Sequence, residues 1–317
     1  MIDIDILLSP KDGSKLKLEN NKILKDKIGT IFHVINGIPR FVSSDNYASS
    51  FGKQWNYFKS TQLDKYNGTN ITEKRFFDDT HWLKDELKGQ KILEVGSGAG
   101  RFTQILLDYG AEVHSVDYSN AVDANLDNNG PNDKLYIYQA DIYKLPFKEK
   151  LFDKVFCFGV LQHTPDVKAS FMDLTKFVKP GGKIAVDVYP KTWKTIFHQK
   201  YWYRLLTNKI PNNILLKIIK FYVPKWFSIS TWCQNVPVLG YMSQFIPISN
   251  YSGTYYEELK KTELIEWAIM DTFDMLSPKY DQPQSLNTLS KWFNEANITI
   301  EYIGKGINGY VGCGIKI

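Results

Sequence analysis

The sequence predicts an α/β chain built on a doubly wound, mostly parallel, seven-stranded sheet, and three observations predict it. Strand-like runs alternate with helical runs from Lys91 to Tyr189. That is the pattern of βαβ units, since parallel neighbours need a crossover helix between them. A glycine turn, Gly96-Ser97-Gly98-Ala99-Gly100, joins the first of these strands to the first helix. The alternation then stops at Pro190 and resumes after Gln284, which places a largely helical insertion behind the fifth strand.

Taken in order, residues 1–44 read as a small β module. Apolar stretches at Ile2–Leu8, Lys15–Leu18 and Thr30–Ile35 are broken by Asp12-Gly13, Asn20-Asn21 and Asn36-Gly37, which favour turns. Residues 45–189 form the core: a polar, aromatic, helix-compatible lead from Ser50 to Lys88, then strand KILEV, helix RFTQILLDYG, strand EVHSVD, helix SNAVDANLDNN and strand KLYIYQAD. Strand FDKVFCFG, helix PDVKASFMDLTKFV, turn KPGG and strand KIAVDVY complete it. Residues 190–284 are the insertion, which a sheet of this kind holds at its ligand-binding edge as a lid or acceptor pocket. Residues 285–317 return to the core with helix SLNTLSKWFNEA, capped by Ser285, and strands ITIEYIG and GYVGCGIKI.

Of the 317 residues 43% are hydrophobic and 23% charged, which excludes a disordered chain. Cys157, Cys233 and Cys313 are too scattered for a disulfide framework or a CxxC cluster and fit a reducing cytoplasm. No basic leader and no apolar run of about 18 residues occurs, so neither export nor a transmembrane segment is expected. The net charge of +5 is unevenly spread. Between Val188 and Tyr256 there is no Asp or Glu, while Lys191, Lys194, Lys200, Arg204, Lys209, Lys217, Lys220 and Lys225 leave the remainder at −3. With aromatics interleaved, that stretch suits an anionic acceptor or peripheral contact with an anionic membrane; the plain alternative is a helical core with a solvated lysine surface. Only Arg40, Arg75, Arg101 and Arg204 are arginines, which weighs against nucleic acid as a partner.

Three acidic positions sharpen the glycine turn. Glu94, just ahead of it, would repel a pyrophosphate but can help hold an ammonium group. Asp117 ends the second strand, where two carboxylate oxygens can accept both hydroxyls of a ribose. Asp141-Ile142, after the third strand, offers an acceptor and a backbone N–H to an adenine edge. Ribose, adenine and an amino-acid end together describe S-adenosylmethionine. The ordered motifs ILEVGSGAGRF, VDYS, QADIYKLPF, FDKVFCFGVLQHTPD and VKPGGKIAVDVY resemble those of class I S-adenosylmethionine-dependent methyltransferases, which have a Rossmann-like fold. The resemblance implies Glu94, Gly96, Ser97 and Gly98 around the methionine moiety, Asp117 on the ribose, Tyr118 on one adenine face, and Asp141 with Ile142 at its edge. It also implies the Phe158 carbonyl near the cofactor amino group; Arg101 is either a partner of the cofactor carboxylate or a surface residue.

Methyl transfer from a sulfonium needs alignment and exclusion of water, and a hydroxyl acceptor must also lose a proton. Of the five histidines only His163 follows the fourth strand at the cofactor edge, and an ordinary histidine pKa of about 6.5 suits a base; capping the next helix is the alternative. Asp187, ending the fifth strand, is the second candidate base. In the insertion Asp271 and Asp274 share a helical face and, with Tyr251, Tyr255 and Tyr256, can bind a polyhydroxylated acceptor. No histidine stands near this carboxylate pair, so no metal is expected. The stretch including DTFDMLSPKYDQPQ resembles the acceptor region of methyltransferases of bacterial surface-polysaccharide pathways. The expected function is O-methylation of a sugar or other small hydroxylated or phosphorylated metabolite, which can be nucleotide- or lipid-linked. N-methylation of an amino sugar, RNA or quinone methylation, and a non-catalytic S-adenosylmethionine-binding subunit are the alternatives. Residues 1–44 resemble a small zinc-ribbon-like module in which Ser9 and Asp12 stand where a cysteine pair would be, implying a metal-free scaffold or docking unit.

Overall fold

The computed structural model describes residues 2–43, 46–193, 195, 199–236, 246–255 and 257–317. The chain opens with an antiparallel meander, β1 (Lys17–Glu19), β2 (Ile23–Lys25), β3 (Ile31–Ile35) and β4 (Ile38–Arg40). Its turns fall at Asn20, Asn21, Asn36 and Gly37, all with positive φ, which asparagine and glycine tolerate best. Ile2–Leu8 departs from the expected strand. Ile4–Ile6 forms one 3-10 turn, since Ile6 and the adjacent Leu7 are both buried and an alternating strand cannot point consecutive side chains the same way. Ser9 Oγ donates to Asp26 Oδ2 at 2.9 Å.

The seven expected core strands follow. β5 (Lys91–Val95), β6 (Glu112–Asp117), β7 (Leu135–Gln139), β8 (Phe152–Cys157) and β9 (Val178–Val188) are parallel; β10 (Ile298–Lys305) and β11 (Tyr310–Lys316) run antiparallel at the far edge. The complete order is β1-β2-β3-β4-β7-β6-β5-β8-β9-β11-β10. The meander is thus an extension of the same sheet, joined where Arg40 of β4 pairs with Gln139 of β7. Leu24, Phe32 and Phe41 share one core with Tyr138, Phe147 and Phe152. The order reverses between β5 and β8, and ligands bind beyond the carboxyl ends of strands at such a switch point.

Helices α1 (Ser49–Tyr57), α2 (Asp64–Asn67) and α3 (Ile71–Thr80) precede β5, and α4 (Arg101–Asp108), α5 (Ala121–Asn129) and α6 (Val167–Thr175) are the crossovers. On α4 the buried Phe102, Ile105 and Leu106 fall on one face at helical spacing. Asp166 caps α6 by accepting the Ala169 N–H at 2.9 Å, and Ser285 caps the helix Leu286–Glu295 in the same way. The insertion contains α7 (Gln199–Thr207), α8 (Asn212–Gln234), a single turn Ser252–Tyr255 and the helix Lys261–Leu276. Leu215, Ile219, Val223 and Phe227 of α8 pack with Leu264, Trp267, Ala268 and Phe273 in a core that also takes in Phe58 and Ile71 from the segment ahead of β5. Its two ends meet where Pro190 pairs with Gln284, the Lys191 N–H donating to the Gln284 carbonyl at 2.8 Å. Among the described residues no helix is long and apolar enough to cross a membrane.

Candidate active site

Beyond the ends of β5, β6 and β8 lies a cavity of about 540 Å³, roofed by the insertion. Its floor is the glycine turn. Gly96, Gly98 and Gly100 all have positive φ, and the Gly96 and Ser97 N–H groups donate to the Val116 carbonyl at 2.7 and 3.1 Å. This ties the turn to the end of β6. A Cβ on Gly98 would lie 3.0 Å from the Trp55 indole, and one on Gly96 would lie 2.0 Å from Val160 Cγ2 and 3.0 Å from its Cβ. Rotating Val160 cannot relieve the second clash. Gly96→Ala is therefore expected to lose about 1–2 kcal/mol for its φ alone, plus the displacement of Val160, seen as a lowered Tm. An unchanged Tm would mean the turn is looser than these distances require.

The residues expected around a nucleoside are divided between the cavity wall and the layer behind it. Ser97, Asp117, Tyr118, Ile142 and Phe158 line the cavity together with Gly96, Gly98 and Arg101. Asp117 Oδ2 accepts the Gly98 N–H at 2.9 Å, while Oδ1 accepts the Ser119 N–H at 2.8 Å and its hydroxyl at 2.6 Å. Oδ2 keeps a free lone pair. Ser97 Oγ is buried with no partner, and so are both amide atoms of Gln54, another lining residue. Buried polar atoms without partners are costly unless a ligand satisfies them, so this wall fits an adenosyl amino acid.

Glu94 and Asp141 are placed differently from the expectation. Neither lines the cavity. Glu94 lies behind the turn, accepting from Thr103 Oγ1 and, at 3.1 Å, from Ser115 Oγ, with Oε1 unpartnered. Burial pushes its carboxyl up to about 7, against the pull of those two hydroxyls. Asp141 caps the turn Ile142–Lys144, accepting the Tyr143 N–H at 3.1 Å. Arg101 donates to Gln62 Oε1 and lies 4.6 Å from the centre of the Phe102 ring.

His163 is buried in the cavity wall, and its Nδ1 is 2.9 Å from the Tyr280 carbonyl oxygen. A carbonyl only accepts, so Nδ1 carries the proton and the lone pair of the neutral ring is on Nε2. Phe51 and Tyr189 pack against the ring with centroids 5.2 and 5.4 Å away. Asp187 is absent from the cavity lining. It is 2% exposed and takes Arg75 Nη2 at 3.0 Å and the Gly159 N–H, so it secures the loop after β8. Arg75, on α3, is shared between Asp187 and the buried Asp79, whose Oδ2 accepts from Arg75 Nε at 3.4 Å.

Tyr251, Tyr255, Asp271 and Asp274 come together at the insertion end of the cavity; Tyr256 lies outside the described residues. Trp267 Nε1 donates to Asp271 Oδ2 at 3.0 Å, and Tyr189 OH reaches Asp274 Oδ2 at 3.4 Å. Burial, with the neighbouring Asp274 adding to it and Arg101 opposing it, pushes Asp271 up to about 7; burial likewise holds Asp187 at about 6 despite Arg75. Such carboxyls bind protons more tightly folded than unfolded, so their contribution is complete below about pH 4 and falls as pH rises through about 6–7. Asp271→Asn is expected to flatten the decline of Tm between about pH 4 and pH 7. A variant whose Tm follows the wild type across that window would show that Asp271 is not desolvated.

Several lining residues are missed by the sequence reading: Tyr47, Gln54, Trp55, Gln62, Arg75 and Lys200. The available clue was the spacing of Phe51, Trp55 and Phe58, which marks one helical face.

A parallel sheet with a glycine turn and a strand-ending acid at its switch point defines an α/β protein of the ligand-binding, doubly wound class. Residues 93–186 match the family profile described as a methyltransferase domain. The ubiquinone biosynthesis O-methyltransferase of Coxiella burnetii is 32% identical over 126 residues, covering 38% of this chain and 54% of that protein. Phosphoethanolamine N-methyltransferase 2 of Caenorhabditis elegans is 30% identical over 149 residues, covering 42% and 33%. The chain spans about half the length of the first of these curated relatives. Among solved structures, magnesium protoporphyrin IX methyltransferase from Synechocystis with bound S-adenosylhomocysteine has a TM-score of 0.41 and 13% identity, covering 87% of this chain and 90% of that one.

Proposed function

We propose that this chain is an S-adenosylmethionine-dependent O-methyltransferase whose acceptor is a small polyhydroxylated molecule, a sugar or sugar-linked metabolite of surface-glycan assembly. The single observation that carries the O-methylation reading is the fixed tautomer of His163, which presents a basic Nε2 at a cavity bordered by the glycine turn and by Asp271 and Asp274. When bound, S-adenosylmethionine supplies an electrophilic methyl group on a sulfonium. The remaining work falls to the chain. Asp117 accepts ribose hydroxyls, Tyr118 and Ile142 enclose the adenine, and Ser97 and Arg101 hold the amino-acid end. Asp271, Asp274 and Tyr251 hydrogen-bond the acceptor, while Phe51, Trp55 and Tyr189 exclude water. His163 Nε2 takes the acceptor proton.

A lipophilic quinone-type acceptor is the second reading, favoured by the aromatic lining and by two relatives, the ubiquinone biosynthesis O-methyltransferase and a demethylmenaquinone methyltransferase. Methyl-labelled S-adenosylmethionine offered with nucleotide-linked sugars and with hydroxylated quinones separates the two. Label transferred to a sugar hydroxyl supports the first, label on a quinone replaces it, and binding of NAD in place of S-adenosylhomocysteine removes both.

A further inference from the structure

The insertion helix α8 has two apolar faces, and only one of them is used. Leu215, Ile219, Val223 and Phe227 are buried in the insertion core. On the opposite side Ile214, Ile218, Phe221, Ile229 and Trp232 form a second stripe at helical spacing, with Phe221 67% and Trp232 60% exposed. The preceding α7 also exposes Trp202, Leu205 and Leu206. Soluble chains seldom display a contiguous apolar area of this kind unless something covers it.

The charges on this face indicate what covers it. Lys217, Lys220 and Lys225 are exposed between the apolar side chains, and the chain has no carboxylate from Val188 to Tyr256. Lys225 Nζ lies 3.5 Å from the centre of the Phe221 ring and Lys220 Nζ 4.3 Å from that of Tyr57, so cations and aromatic rings meet on the same exposed surface. A second copy of this chain docked across a two-fold axis would bring lysine against lysine with no acid to separate them. An anionic bilayer complements both properties: its headgroups match the ammonium groups, and its interface accepts tryptophan, phenylalanine and isoleucine.

We infer that the outer face of α7 and α8 is a docking surface for an anionic lipid bilayer. The same α7 lends Lys200 and Tyr201 to the cavity lining, so docking would place the cavity close to the lipid headgroups. The inference does not depend on methyl transfer, and its test uses neither cofactor nor acceptor.

The test is flotation of the full chain with vesicles of phosphatidylcholine alone and of equal parts phosphatidylcholine and phosphatidylglycerol. Wild type is expected to float with the second and not the first, and high salt is expected to weaken binding, since exposed charges are screened over about 8–10 Å at physiological ionic strength. The triple change Lys217→Gln, Lys220→Gln, Lys225→Gln is expected to weaken partitioning on the order of 10²-fold. The double change Phe221→Ser, Trp232→Ser is expected to abolish it at any salt, with an unchanged Tm confirming the fold. The lysine variant, altered only at exposed positions, remains informative if the double variant fails to fold. Absence of wild-type flotation at low salt overturns the inference, and so does equal flotation with both vesicles. A wild-type dimer by light scattering that the double variant dissolves assigns the face to a second copy and also overturns it.

Discussion

His163→Ala is expected to lower kcat by about 10² or more while leaving affinity for S-adenosylhomocysteine unchanged, the usual scale for removal of a general base. The imidazole is fixed on three sides, by the Tyr280 carbonyl on Nδ1 and by the Phe51 and Tyr189 rings, so little reorganisation precedes proton transfer. Asp274 lines the same cavity, with its carboxyl pushed up by burial. Stopped assays across pH provide the check. The variant should lose the acidic limb of the pH–rate profile, and retention of that limb would assign the base to another group. A parallel fall in cofactor affinity would make His163 a packing residue.

Asp117→Ala is expected to weaken S-adenosylhomocysteine binding by roughly 2–3 kcal/mol, about 30–150-fold in Kd, the scale of charge-assisted hydrogen bonds. Two effects contribute, because the carboxylate also holds the Gly98 N–H and the Ser119 side chain. Asp117→Asn separates them: its amide preserves much of the turn but not the double acceptor. Calorimetry that finds Asn equal to wild type would reduce Asp117 to a turn support, and unchanged affinity in Asp117→Ala would remove the cofactor assignment.

What the sequence reveals here follows from how local each constraint is. β5 to β9 and their helices were legible because each is marked within a dozen residues by apolar runs, caps and glycines, as at Asp166 and Ser285. Asp117 and His163 were legible because the βαβ repeat sends strand ends to one edge. Asp187 and Glu94 share that edge but turn away from it, for reasons held by distant partners: Arg75, 112 residues upstream of Asp187, and the Thr103 and Ser115 hydroxyls behind the turn. Gln54 and Trp55 were illegible for a related reason. They lie on a helix outside the repeat, and only folding brings it over the glycines. The joining of the N-terminal meander to β7 rests on one residue pair, Arg40 with Gln139, which no pattern in either segment announces.

The neck formed by Pro190 and Gln284 gives the chain an evolutionary freedom. Because the insertion leaves and re-enters the sheet through one bridged residue pair, with Lys191 and Gln284 hydrogen-bonded across it, its contents can lengthen, shorten or be exchanged while β9 and the following helix keep their places. Closing a loop costs only slowly more as it grows. The glycine-turn side of the cavity rests on the sheet, and much of the opposite side, including Asp271, Asp274 and Tyr251, arrives through that neck. Changes in length between those two points therefore reshape that opposite side, and those that spare Tyr280 keep the contact that orients His163.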